Sequence, residues 1–404
     1  MSAFESELEL RLAAIRQQGL WRELRRVDSP QGARVEVAGR SLVNFSSNDY
    51  LGLAAHPALT EAAIRAVGKF GAGSGASRLI CGSLAPHHEL EEALAAFKGT
   101  EAALTFSTGY ACALGTITAL LGKGDFIILD KLVHASIVDA AKLSGAKLRI
   151  FRHNDLNDLE AKLKWASALT SRTTHHAPHT LIVTESVFSM DGDLAPLLNI
   201  VELKERHGAW LMVDEAHATG LFGGHRRGLI EEFGVSDRVE IQMGTLGKAV
   251  GASGGYIAGS RALVDLLVNR ARSFIFSTAP APAAAAAANA GIQLITSAEG
   301  EQQRQRLWSL VELLKSSLID GPWRLPPVRS AIVPCIVGAE EKAVSLAATF
   351  REAGILVPAI RYPTVARGRS RLRFTVSAAH SAADIGLLRA PLLSTQHAPR
   401  NTPS

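Results

Sequence analysis

A lysine, an aspartate and a histidine near the middle of the chain are spaced in a way that suits one kind of chemistry. Residues 210–213 (Trp-Leu-Met-Val) predict a short apolar strand that ends at Asp214, and His217 follows three residues later. Lys248 follows Gly-Thr-Leu-Gly and precedes a glycine-rich stretch. A carboxylate can keep a pyridinium nitrogen protonated, a lysine can form a Schiff base with an aldehyde, and glycine-rich backbone amides can bind phosphate. We therefore predict a pyridoxal phosphate site.

Residues 214–217 (Asp-Glu-Ala-His) also spell the Walker B signature of DEAH-type, nucleic-acid-dependent ATPases. Such an enzyme needs a phosphate-binding loop of the form Gly-x-x-x-x-Gly-Lys-Ser/Thr. The sequence contains no such loop, because Lys123 is followed by glycine and Lys248 by alanine. The ATPase is kept only as a remote alternative.

Composition indicates a soluble, globular protein. The 404 residues, 47% of them hydrophobic and 20% charged, are enough for a large core and more than one domain. Glutamates in the first ten residues fit neither a signal peptide nor a transit peptide, and no apolar run spans a bilayer. We expect a cytoplasmic protein, not bound to a membrane, whose cysteines are buried free thiols: Cys81, Cys112 and Cys335.

The positive charge of the chain needs an interpretation. The net charge is +5, and arginines cluster at 22–26 and again at 361–373. We interpret both clusters as solvated faces. Nucleic-acid-binding surfaces interleave aromatic and basic residues, and only 6% of this chain is aromatic. We therefore expect small anionic ligands or an acidic carrier as partners, and no nucleic acid.

Two further motifs resemble ligand sites but are interpreted otherwise. Residues 71–76 (Gly-Ala-Gly-Ser-Gly-Ala) fit the dinucleotide fingerprint, yet a helix-like segment precedes them where a strand is required. We predict only a tight backbone path near a ligand. His175, His176 and His179 lie in a loop with no carboxylate or thiolate partner, so we predict a surface loop and no metal site.

Short β-rich runs alternate with helix-period segments from about residue 100 onward. The predicted strands are 103–106, 126–129, 148–151, 181–183, 210–213, 239–243 and 256–258. This alternation predicts a mostly parallel, doubly wound α/β sheet, which binds ligands outside the carboxyl ends of its strands. Because Asp214, Tyr110 and Ser189 all follow predicted strands, we expect these distant residues to converge.

The remaining segments predict the domain organisation. Leu8, Leu12 and Ile15 at helical spacing predict an amphipathic helix over 4–26, and Pro282 before an alanine run predicts a helix at a domain boundary. A smaller α+β domain should contain strands at 331–337, 355–360 and 372–376 and helices at 340–353 and 381–392. We divide the chain into an N-terminal helix and arm (1–45), a cofactor-binding large domain (46–282), a small C-terminal domain (283–393) and a disordered tail (394–404).

Several motifs in order make the chain resemble the α-oxoamine synthases, pyridoxal phosphate enzymes of the aspartate aminotransferase fold type. They lie at 44–52 (Asn-Phe-Ser-Ser-Asn-Asp-Tyr-Leu-Gly), 71–75, 107–110 (Ser-Thr-Gly-Tyr), 184–192 (Thr-Glu-Ser-Val-Phe-Ser-Met-Asp-Gly), 213–217 and 244–248. The resemblance covers nearly the whole chain. It implies fold type I, in which a large domain with a mostly parallel seven-stranded sheet precedes a smaller α+β domain.

The resemblance implies roles for individual residues. Lys248 would hold the cofactor and then remove the substrate's Cα proton, Asp214 would bind the pyridine nitrogen, and His134 would stack on the ring. Burial beside cations would lower the pKa of Lys248 toward neutrality. The further implied cofactor residues are Ser189 and His217 near the phenolic oxygen, Gly109, Tyr110 and Thr245 beside the phosphate, and Thr278 at the neighbouring subunit's cofactor. The implied substrate residues are Arg361 for the carboxylate, Arg22 and Thr364 for the acyl group, and Asn48.

The resemblance also implies a homodimer and a reaction. Most motifs favour enzymes that condense L-alanine with a pimeloyl thioester, early in biotin synthesis, with release of carbon dioxide and the free thiol. Residues 78–82 (Arg-Leu-Ile-Cys-Gly) instead resemble the 2-amino-3-ketobutyrate CoA ligases, so a glycine-using synthase is the alternative. The sequence leaves open whether coenzyme A or acyl carrier protein carries the acyl group.

Overall fold

The protein is described by a computed structural model that covers residues 2–170, 178–319, 321, 323–388 and 391. Three predictions lie wholly or partly outside the described residues: His175 and His176, the tail at 394–404, and residues 389, 390 and 392 of the helix predicted at 381–392. The division of the chain into domains stays a prediction.

Strands and helices alternate through most of the described chain. The strands are β1 (Arg34–Val37), β2 (Arg40–Asn44), β3 (Ala102–Phe106), β4 (Phe126–Asp130), β5 (Lys147–Phe151), β6 (Thr180–Glu185), β7 (Trp210–Asp214), β8 (Ile241–Thr245), β9 (Gly255–Gly259), β10 (Ile332–Gly338), β11 (Ile355–Leu356), β12 (Ala359–Ile360) and β13 (Ser370–Thr375). The helices are α1 (Ala3–Gln17), α2 (Pro57–Phe70), α3 (Ala85–Lys98), α4 (Gly109–Leu120), α5 (Ala135–Ser144), α6 (Leu156–Thr170), α7 (Leu197–Arg206), α8 (Leu229–Glu232), α9 (Arg261–Arg270), α10 (Arg272–Ile275), α11 (Pro282–Thr296), α12 (Ala298–Leu318), α13 (Glu340–Glu352) and α14 (Ala382–Gly386).

A seven-stranded sheet forms the centre of the described chain, in the order β3-β9-β8-β7-β6-β4-β5. Only β9 runs antiparallel to its neighbours, so the carboxyl ends of β3, β8, β7, β6 and β4 meet at one edge. Inner strands such as β4 and β6 are buried on both faces, as parallel strands covered by helices must be. The predicted fold class is confirmed. The strand predicted at 239–243 begins later, at Ile241, because Ser236–Arg238 forms a short 3₁₀ helix.

Two helices that begin directly after strands point their N-termini at this edge. Thr108 caps α4 by accepting a hydrogen bond from the amide of Ala111 at 3.0 Å. His134 caps α5 with its ring nitrogen. Both helices pack against the face of the sheet that carries Leu181 and Val183, whereas Ile182 points into the core on the opposite face. Because successive side chains of a strand point to opposite faces, the sheet contributes to two hydrophobic cores, one on each face.

Two small sheets complete the described fold: β10-β13-β12 comes from the C-terminal part, and β1-β2-β11 joins two N-terminal strands to one C-terminal strand. The single strand predicted at 355–360 was wrong. The chain instead forms β11, which pairs in parallel with β2, and β12, which pairs with β13. Pro358 lies between them and has no amide hydrogen to continue a ladder. Within the described part of the helix predicted at 381–392, α14 ends at Gly386, and residues 387–388 form a turn.

The N-terminal helix differs from its prediction in length and in packing. Helix α1 begins at a capping box formed by Ser2 and Glu5 and ends at Gln17, well before the predicted residue 26. None of its residues is buried in the described chain, so the apolar face of Leu8, Leu12 and Ile15 remains uncovered. In the part of the chain that the structure describes, no helix is long and apolar enough to cross a membrane.

Candidate active site

The strand ends bring three of the predicted residues to one place. Asp214 is the last residue of β7, Lys248 lies in the turn after β8, and His134 lies between β4 and α5. Asp214 is opposite Glu185, the last residue of β6, in the strand register. Because parallel strands end at the same edge, residues from distant parts of the sequence share one site.

A chain of hydrogen bonds runs from Lys248 into the core. Lys248 Nζ lies 2.9 Å from His217 Nε2, and His217 Nδ1 lies 2.5 Å from the hydroxyl of Tyr50. Burial lowers the pKa of Lys248 to about 8, against the opposing charges of Asp214 and Glu185. Burial and the Lys248 charge hold the pKa of His217 well below its ordinary value. At neutral pH a protonated Lys248 therefore donates to a neutral imidazole, which donates in turn from Nδ1 to Tyr50.

The two strand-end carboxyls differ in charge state. Burial raises the pKa of Asp214, and Lys248 opposes that rise. Burial and the neighbouring Asp214 raise the pKa of Glu185 to about 8. Asp214 Oδ1 accepts a hydrogen bond from the amide of Ala216 at 2.9 Å, whereas Glu185 Oε1 is buried without a hydrogen-bond partner among the described residues. At neutral pH Glu185 is therefore a largely protonated carboxyl, whereas Asp214 is held by the Ala216 amide and by the charge of Lys248.

His134 has a fixed ring orientation. Its Nδ1 lies 2.8 Å from the hydroxyl of Ser136 and accepts from the amide of the same residue at 3.3 Å. Partial burial lowers the pKa of the imidazole, although the residue keeps an exposed surface. A neutral ring that is held at one nitrogen is suited to a flat contact with an aromatic ligand.

The arginine cluster at 361–373 is not a uniform solvated face, so that prediction was wrong. Arg371 and Arg373 are buried on one side of β13. Arg373 Nε donates to the carbonyl of Ser189 at 2.6 Å, and both terminal nitrogens lie 3.2 Å from Asn48 Oδ1. Arg371 binds Asp191 at 2.7 Å. Arg373 thus connects Asn48 and Ser189, two predicted site residues that are far apart in sequence.

Glycines shape the opposite side of the site. Gly109 is the first residue of α4, and a side-chain carbon there would lie 3.9 Å from Thr245. A side-chain carbon at Gly255 would lie only 2.7 Å from Gly109, so β9 can approach α4 closely only with glycine. The Thr245 hydroxyl donates to the carbonyl of Gly254 at 3.0 Å and accepts from Gly247. Tyr110 is exposed and donates to Asp139 at 2.7 Å.

Four predicted residues lie apart from Lys248. Arg361 donates to the carbonyls of Gly19 and Trp21 in the N-terminal arm, the second at 2.8 Å. Arg22 and Thr364 are exposed, and the Thr364 amide donates to the Arg361 carbonyl. Thr278 is also exposed and forms an isolated β-bridge with Ser77, as the two segments pass each other beside the end of β3.

Other motifs resolve more simply. Helix α2 precedes residues 71–76, which agrees with the rejection of a dinucleotide site. Cys112 and Cys335 are buried, but Cys81 is exposed, so the prediction of three buried thiols was wrong for this residue. His179 stacks on Trp210 with ring centroids 4.3 Å apart. No cluster of metal-ligating side chains occurs among the described residues.

The Walker B interpretation of 214–217 is contradicted by the packing of Glu215. In an ATPase that glutamate must reach water at the nucleotide. Here Glu215 is fully buried and pairs with Lys98 at 2.5 Å. The carboxylate is therefore inaccessible to a nucleotide.

Sequence reasoning missed three residues of the site: Tyr50, Glu185 and Arg373. Tyr50 and Glu185 belong to the motifs at 44–52 and 184–192, and Glu185 also ends a strand at the binding edge. Arg371 and Arg373 are two residues apart, so the strand period would have placed them on one face. A charged pair at this spacing, alternating with Leu372 and Phe374, was the available signal.

These residues fit pyridoxal phosphate. The edge offers a lysine of lowered pKa, a carboxylate for a ring nitrogen, and a neutral imidazole for a ring face. Helix α4 begins with Gly109 and Tyr110. The backbone amides at the start of a helix have no acceptor within the helix, so they are available to bind a phosphate. Glu185 Oε1, buried and without a partner in the described chain, marks a polar group that faces the same space.

Comparisons with known proteins identify the family of the chain. The model of the family described as aminotransferase class I and II matches residues 40–390. An 8-amino-7-oxononanoate synthase of Herminiimonas arsenicoxydans is 47% identical over 393 residues, covering 96% of this chain and 99% of that protein. Further curated relatives, 44–49% identical, have the same name.

Solved structures agree as well. A serine palmitoyltransferase of S. paucimobilis, with a pyridoxal phosphate–myriocin aldimine bound, is 30% identical and superposes with a TM-score of 0.89, covering 98% of this chain and 100% of that one. An 8-amino-7-oxononanoate synthase of Francisella tularensis is 27% identical, with a TM-score of 0.72, covering 87% of this chain and 97% of that one. The chain belongs to the class I and II aminotransferase family, as its motifs predicted.

Proposed function

We propose that this protein is a pyridoxal 5′-phosphate-dependent 8-amino-7-oxononanoate synthase, which condenses L-alanine with a pimeloyl thioester and releases carbon dioxide and the thiol. The observation that carries the proposal is the buried contact of Lys248 with His217, next to Asp214, at the carboxyl edge of the sheet. Relatives with this name match the chain over nearly its full length.

Each cofactor group has a residue suited to it. When the cofactor is bound, Asp214 would hold the ring nitrogen, His134 would stack on the ring, and Lys248 would supply the amine for the covalent link. His217 and Ser189 would serve the phenolic oxygen. Gly109, Tyr110 and Thr245 would hold the phosphate, because the N-terminus of α4 favours an anion. When bound, the cofactor supplies an electron sink for the pair left behind when the substrate loses its Cα proton.

The chain's own residues move and hold the proton. Lys248, with a pKa of about 8, would accept the Cα proton in its unprotonated form, which is the minor form at neutral pH and grows as the pH approaches 8. His217 stays neutral and fixes the amine through Nε2, while Tyr50 fixes the ring through Nδ1. Asp214 keeps its negative charge opposite the ring nitrogen. Glu185 remains protonated at neutral pH, so it adds no second anion beside Asp214.

The substrate groups are bound by residues from the small sheets and the arm. Arg361 binds the carboxylate of alanine, because a planar guanidinium matches two carboxylate oxygens. To bind the substrate, Arg361 gives up its hydrogen bonds to the carbonyls of Gly19 and Trp21. Asn48, held by Arg373, lies on the substrate side, and Arg22 and Thr364 contact the acyl group. Substrate binding is therefore coupled to a shift of the arm.

A homodimer completes the site. Thr278 contacts the phosphate of the cofactor in the partner subunit. Support comes from exposed apolar side chains around it, since Ile80 and Phe276 are 78% and 70% exposed in the described chain. Leu79, next to Ile80, is also 51% exposed, and exposed apolar residues that lie together are typical of an interaction surface. We expect a dimer in analytical ultracentrifugation and weaker cofactor binding in Thr278→Ala.

The substrate is tested with four combinations: pimeloyl-CoA or pimeloyl-acyl carrier protein with L-alanine, and the same acyl donors with glycine. Acetyl-CoA with glycine serves as the competing pair. We expect the highest kcat/KM for carbon dioxide release with L-alanine, at a ratio of roughly 10 to 200 over glycine, because one methyl group contributes about 1–3 kcal/mol in a pocket. A higher value for acetyl-CoA with glycine moves the protein to the glycine-using branch.

The glycine alternative gains no support from residues 78–82. Arg78 is buried, and it donates to Glu91 at 2.8 and 2.9 Å and to Ser83 at 2.9 Å. This arginine therefore stabilises the junction of its loop with α3 and is not available to a substrate.

A further inference from the structure

We propose that Lys98 and Glu215 are a positioning pair, which fixes the turn that carries Asp214 and His217. The inference rests on the proposed function for what that turn does. Consecutive residues at a strand end point to opposite sides, so Asp214 faces the site and Glu215 faces the core behind it. Nothing in the proposed chemistry uses Glu215 or Lys98, yet both are charged and buried.

The pair is held by donors and acceptors from three segments. Lys98 Nζ, at the end of α3, lies 2.5 Å from Glu215 Oε2 and also donates to the carbonyl of Arg227. The amide of Ile230 donates to Glu215 Oε1 at 2.9 Å. The side chains of Lys98 and Glu215 are 1% and 0% exposed. Both carboxylate oxygens are therefore bound by buried groups, and the carboxylate has one position.

The main chain of Glu215 builds the turn. Its amide donates to the carbonyl of Met243 on β8 at 2.8 Å, which continues the pairing of β7 past Asp214. Its carbonyl accepts from the amides of Ala218 and Thr219, each at 2.9 Å. His217 lies inside this turn, directly before these two amides. A displacement of Glu215 consequently moves Asp214 on one side and His217 on the other.

The neighbouring backbone is shaped around the pair. Gly228 has a φ of +129°, and a side-chain carbon there would lie 2.4 Å from Glu215 Oε2. Gly99, directly after Lys98, ends α3 in the left-handed region, and a side-chain carbon there would lie 2.9 Å from Arg227. Both positions have a positive φ, which favours glycine, and a side chain at Gly228 would displace the Glu215 carboxylate.

Stability alone does not account for the pair. A buried ion pair is often no more stable than an apolar pair of the same volume, although removing one partner leaves an uncompensated charge. A positioning role and a merely structural role therefore differ in one respect. A structural pair affects the free energy of unfolding, whereas a positioning pair also affects the turn and the groups on it.

Strand β7 offers a control at its other end, in a pair whose lysine is buried and whose glutamate side chain is 40% exposed. Lys204 is buried and donates to Glu240 Oε1, while Glu240 Oε2 accepts from the amide of Leu211 at 2.9 Å. This pair fixes the start of the same strand, far from the turn. Both Lys204→Met and Lys98→Met remove a buried lysine from its glutamate partner. Lys204→Met does so at the start of β7, whereas Lys98→Met does so at the end of β7 that carries Asp214.

The experiment compares Lys98→Met, Glu215→Gln, Lys204→Met and the double variant Lys98→Met/Glu215→Leu. Unfolding by denaturant measures stability, hydrogen exchange of the apoprotein measures the amides of 216–219, and absorbance titration with pyridoxal phosphate measures cofactor affinity. We expect Lys98→Met to raise the cofactor Kd about tenfold, which corresponds to about 1.4 kcal/mol, and to lower kcat about tenfold. The variant should also speed hydrogen exchange in the turn. Lys204→Met should lose stability only.

The double variant and the isosteric variant separate the outcomes. The double variant should regain stability but keep the weaker cofactor binding and the faster exchange. Glu215→Gln, which preserves shape, serves if Lys98→Met does not fold, and should show the same changes in the turn. Equal effects of Lys98→Met and Lys204→Met on Kd and exchange, or normal values in the double variant, overturn the proposal. If the wild-type protein binds no pyridoxal phosphate, the proposed function is overturned. Hydrogen exchange of the 216–219 amides in the apoprotein then still decides whether the pair positions the turn.

Discussion

Replacing Tyr50 by phenylalanine tests the hydrogen-bond chain behind Lys248. The variant keeps the ring, which packs edge-on against His217 at a centroid distance of 6.0 Å, and removes only the hydroxyl. That hydroxyl lies 2.5 Å from His217 Nδ1, and Tyr50 as a whole residue is only 1% exposed. Burial raises the pKa of Tyr50 to about 12, so the wild-type group is a neutral phenol at any working pH.

The magnitude follows from what the change leaves behind. With Lys248 donating to Nε2, the ring proton lies on Nδ1, and Tyr50→Phe leaves that N–H buried without an acceptor. An unsatisfied buried donor costs about 1–3 kcal/mol, which we expect as the loss in the free energy of unfolding of the apoprotein. The imidazole also loses its fixed orientation against Lys248. We therefore expect kcat to fall about tenfold or more, because a factor of ten requires only about 1.4 kcal/mol of transition-state stabilisation.

The assay combines denaturant unfolding of the apoprotein with steady-state rates and the visible spectrum of the cofactor-loaded protein. Ser330→Ala is the control, since it removes a buried hydroxyl that donates to the carbonyl of Gly192 at 2.8 Å and bonds neither His217 nor the turn at 216–219. It should lose stability while leaving kcat and the spectrum unchanged. A Tyr50→Phe variant with wild-type stability, or equal losses of kcat in both variants, refutes the proposed chain.

Three further changes test neighbouring groups. Asp214→Asn should retain the cofactor but lose most activity, because a neutral amide cannot hold the ring nitrogen protonated; near-normal turnover assigns that role elsewhere. Glu185 has its pKa raised from 4.5 to about 8, so the folded state retains a proton that the unfolded chain loses, and stability falls as pH rises through that window. Glu185→Gln should reduce this fall between pH 5 and 8 in denaturant unfolding, and an unchanged slope contradicts the buried, protonated state. Arg373→Lys should raise the KM for alanine and reduce stability, because one ammonium cannot hold both Ser189 and Asn48; the exposed Arg369→Lys is its control, and equal effects in both variants count against the contact.

Local patterns predicted the parts of the fold that local forces determine. Strands β4 and β7 are short apolar runs that end in a carboxylate, and the alternation of such runs with helix-period segments requires crossover connections and a parallel sheet. That topology alone places Asp214, His134 and Lys248 at one edge. Their convergence could therefore be predicted without knowing any contact between them.

Long-range partners could not be predicted from such patterns. Arg373 looked like a surface arginine, because its partners Asn48 and Ser189 are 325 and 184 residues away. Glu215 looked like part of an ATPase motif, because Lys98 is 117 residues away. Helix α1 has an apolar stripe, but periodicity predicts only that a face exists, not what covers it. In each case burial depends on a segment that the local sequence does not contain.

The most direct test of the site is to trap the cofactor on the protein. The protein is incubated with pyridoxal phosphate, reduced with borohydride and digested, and the modified peptides are identified by mass spectrometry. We expect one stoichiometric phosphopyridoxyl group on Lys248, and none at any position in Lys248→Ala, because a lysine with a pKa of about 8 at this edge is the amine suited to a stable Schiff base. Labelling of another lysine to the same extent, or no labelling of the wild type, contradicts the assignment of Lys248 and the account of the site built around it.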